Sequence, residues 1–192
     1  AGRTFIAGAD ITEFGKPPRE PHLPDLCNTI EASSKIVVAA LHGTALGGGL
    51  EVALSCHYRC ALPDAKVGLP EVKLGLLPGA GGTQRLPRLI GAQAALDLMT
   101  SGNPIGAGQA ASLGLIDHVV DGELVDAAIN WCRELAESGA ARRATSELPV
   151  ESIPDGAFDE YRSTLARRAR GQVAPQRIVD CVEASLTGPF AE

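Results

Sequence analysis

Short apolar runs punctuated by glycine and proline fill the first two-thirds of this 192-residue chain, and amphipathic stretches fill the last third. Residues 35–41 (KIVVAAL) form a β-branched run of the kind expected from a strand buried on both faces. The glycine-rich segment 42–49 then makes a turn, and 50–55 reads as a helix whose first free N–H groups belong to those glycines. Two brief extended pieces, 59–62 and 66–69, flank a turn at Pro63 and Asp64, and Pro70 ends the second. Pro78, Gly79, Gly81 and Gly82 form another loop, and from Thr83 onward Leu86, Leu89 and Ile90 fall on one helical face. Residues 92–101, 107–113 and 124–138 read as helices, with Gly114 a stop and 116–120 extended. Segment 140–155, which mixes arginines with Ser146, Pro149 and Pro154, reads as a connector. Two amphipathic helices are expected after it, over 156–170 and 175–186, with Pro175 suited to a first turn.

A 45% apolar content in a chain of this size is enough for one well-buried core. The formal charge of −6 argues against a nucleic-acid surface, which needs a clustered basic face. The basic residues Arg162, Arg167, Arg168 and Arg170 lie on a helix-like stretch and read as a solvated face. Five cysteines, an odd number, with no legible secretion-type leader, fit a reducing compartment, so cytoplasm or an organelle matrix is the expected location. Cys56 and Cys60 stand four apart without a second ligand pair, so no metal site is expected and they read as small buried side chains. No apolar run approaches the roughly 20 residues of a bilayer-spanning helix.

Chemistry concentrates at two glutamates. Glu51 and Glu71 each follow a bend-forming stretch, and two carboxyl groups form a potential acid/base pair. The glycine-opened helix beside Glu51 adds free backbone N–H groups, the donors that a carbonyl oxygen needs as it becomes negative. Neither glycine cluster is a nucleotide loop: GTALGGGLE lacks the lysine and hydroxyl of a P-loop, and GAGGTQ lacks the third glycine and downstream acid of a dinucleotide fingerprint. Glycines alone equally mark tight turns and close packing, and a lone Glu after such a turn equally serves as a helix-start carboxylate. Asp10 reads as a brace for its own turn, and His42 and His57 read as satisfied or surface histidines.

Three ordered motifs make the pattern specific: FIAGADI at 5–11, GGGLE at 47–51 and GLPEVKLGLLPGAGGTQRL at 68–86. With their intervals they resemble the crotonase superfamily, and enoyl-CoA hydratases in particular, from Ala1 to about Ser138. That resemblance implies an α/β fold, a spiral of repeated strand–strand–helix turns, with a C-terminal helical region and assembly as a homo-oligomer, commonly of trimers. It divides the chain into a crotonase core over 1–139 and a connector with terminal helices over 140–192. Family members carry further strands before the equivalent of Ala1, so an N-terminally incomplete core, a piece of a longer polypeptide, is expected. The stretch LPVESIPDGAFDEYRSTLARRARGQVAPQRIVDCVEASL is similar to the connector that leads to the dehydrogenase portion of bifunctional β-oxidation enzymes.

Carried over position by position, the resemblance makes the Ala9 and Gly48 N–H groups an oxyanion hole for a thioester oxygen. Glu51 then activates the attacking water, Glu71 supplies a proton to the α-carbon, and the Gly79 backbone touches the same water. The implied reaction is water addition to a 2-trans-enoyl-CoA, giving a 3-hydroxyacyl-CoA. It needs no cofactor, coenzyme A being part of the substrate; NAD enters only with a dehydrogenase portion joined to this chain. Close carboxyl groups titrate as a coupled pair, and one raised pKa is expected. Two other readings stay open: an enoyl-CoA isomerase using the same glutamates, and a noncatalytic acyl-CoA binding module.

Overall fold

A computed structural model describes residues 2–8, 10, 12, 15, 20–188 and 190. Its elements run in the order α1 (Leu23–Glu31), β1 (Val38–Leu41), β2 (Thr44–Leu46), α2 (Gly48–Ser55), β3 (Tyr58–Ala61), β4 (Lys66–Gly68), a 3₁₀ turn (Pro70–Leu74), α3 (Gly82–Ile90) and α4 (Ala92–Ser101). After these come β5 (Ile105–Gly106), α5 (Ala107–Ser112), β6 (His118–Val119), α6 (Leu124–Glu137), a second 3₁₀ turn (Thr145–Glu147), α7 (Ala157–Arg168) and α8 (Ala174–Ala184).

The strands build two small sheets in an alternating way. β1 pairs in parallel with β3, and β3 with β6; β2 pairs in parallel with β4, which then takes β5 antiparallel. The first two strand–strand–helix turns therefore stack, β3 on β1 and β4 on β2, whereas β5 and β6 add in the reverse order, β5 on β4 and β6 on β3. Parallel pairing demands a crossover between partners, and the helix after each strand pair supplies it.

β1 shows why the apolar run 35–41 is shared between two cores. Its Ala39 and Leu41 face the main core, while Val38 and Ala40 pack with Leu124, Ala127 and Trp131 of α6 in a second cluster around Cys60, Val120 and Ala128. The strand is covered on both faces, as its sequence predicts, but the α6 side is only partly buried. α7 and α8 join the main core through Leu165, Ile178, Val179 and Val182, α8 packing on α4. Arg162 of α7 bonds Asp180 and Glu183 of α8, so this member of the expected solvated face is an inter-helix clasp; Arg167, Arg168 and Arg170 remain at the surface, Arg168 and Arg170 with Arg167 making no such clasp.

Three stretches differ from the sequence expectation. The segment 42–49 is not all turn, because Thr44–Leu46 pairs with β4 and becomes β2; glycines at both ends of so short a strand hide it. Residues 70–74 form a 3₁₀ turn, so Pro70, expected to end the extended piece before it, also starts a turn. α1 lies in a stretch to which sequence reading assigns no element, because Pro21 and Pro24 read as loop although Pro24 occupies a tolerated first-turn position.

Charged residues are also part of the interior. Arg59 is fully buried and donates to Leu115 O (2.7 Å), Cys56 O (2.8 Å) and the Asp117 carboxylate (3.3 Å). Asp117 answers with a second bond, accepting the Arg59 backbone N–H at 2.8 Å. Removing that carboxylate strands a buried cation, so Asp117→Ala is expected to lower the unfolding free energy by about 3 kcal/mol, read from the urea midpoint at unchanged slope.

Candidate active site

α2 begins directly behind β2 because Gly47, at φ 54°, turns the chain through a backbone region that side chains rarely adopt. Gly48 is then the first helical residue, and its N–H has no acceptor among the described residues. A Cβ on Gly48 would come within 2.7 Å of Leu23 Cδ2 on α1, so the start of α2 is pressed against that helix. One turn further, Glu51 points inward and is 2% exposed.

Burial of a carboxyl group is costly unless it is hydrogen-bonded, and Glu51 has donors. Its Oε1 accepts the backbone N–H of Ala80 at 2.6 Å and of Gly82 at 2.9 Å. Ala80 lies on the loop before α3 and Gly82 is the first residue of that helix; between them Gly81 takes a left-handed φ of 94°, and Gly82 leaves room for the carboxylate, a Cβ there lying 3.0 Å from Oε1. Burial still pushes the Glu51 pKa up, against the pull of the Gly82 and Ala80 amides, the Arg85 charge and the Gly79 amide.

Glu71 stands on the 3₁₀ turn after β4, and β4 is the hydrogen-bonded neighbour of β2. The pairing brings Glu71 to the start of α2: a Cβ on Gly47 would lie 3.0 Å from Glu71 Oε1. Its Oε2 is buried without a hydrogen-bond partner among the described residues. Burial, with a further push from the Glu51 charge, lifts its pKa to about 7. One carboxyl is thus a hydrogen-bonded acceptor and the other favours the protonated form.

Of the residues singled out by sequence, the fold brings Gly48, Glu51 and Glu71 together around the first turn of α2. Gly79 lies on the loop that holds Glu51, exposed and with open space at its Cα. Ala9 lies outside the described residues. Asp10 accepts the Thr12 N–H at 2.9 Å, the turn brace expected of it. His57 is fully buried, accepting the Val37 N–H at Nδ1 (2.9 Å) and facing Glu31 O from Nε2 (3.1 Å), which fixes the neutral tautomer protonated at Nε2. Sequence reading missed the Ala80 and Gly82 amides, Arg85 and Glu31. The glycines of GAGG hint at the first two; nothing in the helix sequence GTQRLPRLI, with Arg85 and Arg88 three apart, marks Arg85 as buried.

Residues 1–151 match the family model for enoyl-CoA hydratase/isomerase. The chain belongs to that family. A peroxisomal bifunctional enzyme of Danio rerio is 46% identical over 98% of this chain, and a fatty acid oxidation complex subunit alpha of Shewanella amazonensis is 39% identical over 95%. These matches span 26% and 28% of the relatives' own lengths, so the chain corresponds to about a quarter of each. Among solved structures, the enoyl-CoA hydratase of Bacillus anthracis superposes with a TM-score of 0.66 at 32% identity, over all of this chain and 71% of its own. The resemblance drawn from the three motifs, with its nearness to bifunctional enzymes, is borne out, as is the crotonase-type α/β spiral.

A carboxyl group whose pKa rises on folding gives a definite pH signature. Below the ordinary carboxylate value near 4.5, Glu71 is protonated in both states and costs nothing; between there and about 7 the unfolded chain releases its proton and the folded one keeps it. Stability is therefore lost as pH rises through this window. Glu71→Gln should abolish that loss and gain about 2 kcal/mol on wild type between pH 4.5 and 8, after discounting for partial exposure, as read by urea unfolding at each pH.

Proposed function

We propose that this chain adds water across the double bond of a 2-trans-enoyl-CoA to give the 3-hydroxyacyl-CoA, as the hydratase portion of a fatty-acid β-oxidation enzyme. The observation that carries the reading is the unequal carboxyl pair. Glu51 is held as an acceptor by two amides, and Glu71, one strand over, keeps a proton-favouring, unpartnered oxygen at the start of the same helix.

In this reading the thioester oxygen rests on the Gly48 N–H, where the positive end of α2 adds to the donor, with the Ala9 N–H as the second donor. Withdrawal of electrons toward that oxygen leaves the β-carbon electrophilic. Glu51 takes a proton from water as the oxygen bonds to the β-carbon, and Glu71 gives its proton to the α-carbon. One hydrogen and one hydroxyl have then been added, and transfer of the proton from Glu51 back to Glu71 resets the pair. The Gly79 backbone helps to hold the water. Nothing beyond water and the thioester is consumed, so no cofactor enters this step.

A dehydrogenase portion with its NAD, joined to this chain, belongs to the same proposal, and relatives named bifunctional, of which the chain spans about a quarter, support a second activity beside the hydratase. They also support residues 140–192 as the connector to it. The name peroxisomal favours an organelle matrix, with the cytoplasm as the alternative, and no described helix is long and apolar enough to cross a membrane. Homo-oligomerisation is proposed by analogy with the fold.

Crotonyl-CoA is the direct probe, with hydration read as loss of the enoyl-thioester absorbance. Wild-type protein should hydrate it, with Glu51→Gln and Glu71→Gln each lowering kcat by ~10²–10⁴. Because the mechanism uses protonated Glu71, kcat/KM should fall as pH rises through about 7. Wild-type rates in both variants would refute the assignment. Binding of acyl-CoA without turnover would leave a binding module, and turnover of a 3-enoyl-CoA alone would leave an isomerase.

A further inference from the structure

Behind the loop that holds Glu51 lies a buried ion pair that does not touch the reacting groups. Arg85, on the first turns of α3, is 1% exposed, and Glu31, the last residue of α1, is 7% exposed. The guanidinium meets the carboxylate at 2.8 Å (Nη2 to Oε2) and 3.3 Å (Nε to Oε1). Its remaining donors reach Asn28 Oδ1 at 3.0 Å and Ala80 O at 3.2 Å. The last bond is the informative one, because Ala80 is also the residue whose N–H donates to Glu51 at 2.6 Å.

The short loop is thus gripped from both sides. Glu51 accepts from it on the α2 face, and Arg85 donates to it on the α1 face. Gly81 makes the second grip feasible, since a Cβ there would overlap Arg85 Nη1. Arg85 cannot drift, because a fork-shaped, always-charged group with two carboxylate bonds and an amide bond has one orientation. Glu31 is itself fixed by the Ser146 N–H at 2.9 Å.

We infer that Arg85, oriented by Glu31, is a positioning residue: it sets the Gly79–Gly82 loop so that the Ala80 and Gly82 amides converge on Glu51. The kinetic part of this rests on the hydratase reading; the titration part does not. Groups near Glu51 are Glu71 from the 3₁₀ turn, Arg85 from α3 and Cys27 from α1, with Glu31 paired to Arg85. Arg85 is the cation among them that acts on Glu51, and its field opposes the effect of burial.

Two independent readouts test the inference. In protein labelled with ¹³C-glutamate, the Glu51 carboxyl resonance is identified by its loss in Glu51→Gln and titrated. Arg85→Gln should move that titration up, and Arg85→Lys by much less because the charge stays. Both variants should lower kcat for crotonyl-CoA roughly tenfold or more with KM changed less than about threefold, since Lys lacks the fork. Glu31→Gln keeps the shape and one acceptor; it should fold even if Arg85→Gln does not, and should lower kcat several-fold in the same pattern. A folded Arg85 or Glu31 variant whose Glu51 titration and kcat–pH profile overlay wild type overturns the inference, and so does loss of stability alone. If wild type fails to hydrate crotonyl-CoA, the hydratase reading falls, and the Glu51 titration still decides the role of Arg85.

Discussion

The bonds from the Ala80 and Gly82 amides to one oxygen of Glu51 organise this molecule's interior around its candidate chemistry. A carboxyl group 2% exposed would be a heavy burden on stability without them, and hydrogen bonds to a charged acceptor are worth ~1.5–3 kcal/mol each. Their geometry imposes conditions well beyond the pair. Gly82 must lack a side chain, Gly81 must enter the left-handed region, and α3 must start where the loop ends, so its first free N–H groups face α2. Two successive turns of the spiral are therefore locked together through a polar contact as well as through the apolar core.

Strand pairing does the remaining assembly. β2 and β4 are adjacent and parallel, with Leu46 opposite Gly68, so the chain leaves both strands at the same edge of the sheet. After Leu46 it turns at Gly47 into α2; after Gly68 it turns at Pro70 into the Glu71 turn. Glu51 and Glu71, twenty residues apart in sequence, meet because the repeat places equivalent bends side by side. Their environments then diverge: the Ala80 and Gly82 amides converge on Glu51, while Glu71 keeps one buried oxygen without a partner among the described residues.

Much of this was legible in the chain. Glycine-opened helices and the two glutamates follow from the motifs, because each carries its own backbone constraint, a positive φ, a close approach or a free N–H, and the spiral follows from the family resemblance that the motifs carry. β2 was hidden by the glycines around it, and α1 by the prolines near its start. Burial of Arg85 and Arg59 could not be read at all. Arginine is ordinarily a surface residue, and what buries these two is a partner far along the chain, Glu31 for one and Asp117 for the other. A local pattern carries no information about such a partner.

α1 shows why the unread part matters. Its Leu23 packs against Gly48 at the start of α2, and its Glu31 pairs with Arg85, which holds the loop beneath Glu51. One nine-residue helix thus braces the Gly48 end of α2 with an apolar contact and the loop at Glu51 with a charged one. Small motions of α1 would change both together, and neither contact involves a reacting atom. Since a carboxylate misplaced by an ångström can cost a large part of the rate, the accuracy of the site depends on an element that no motif announces.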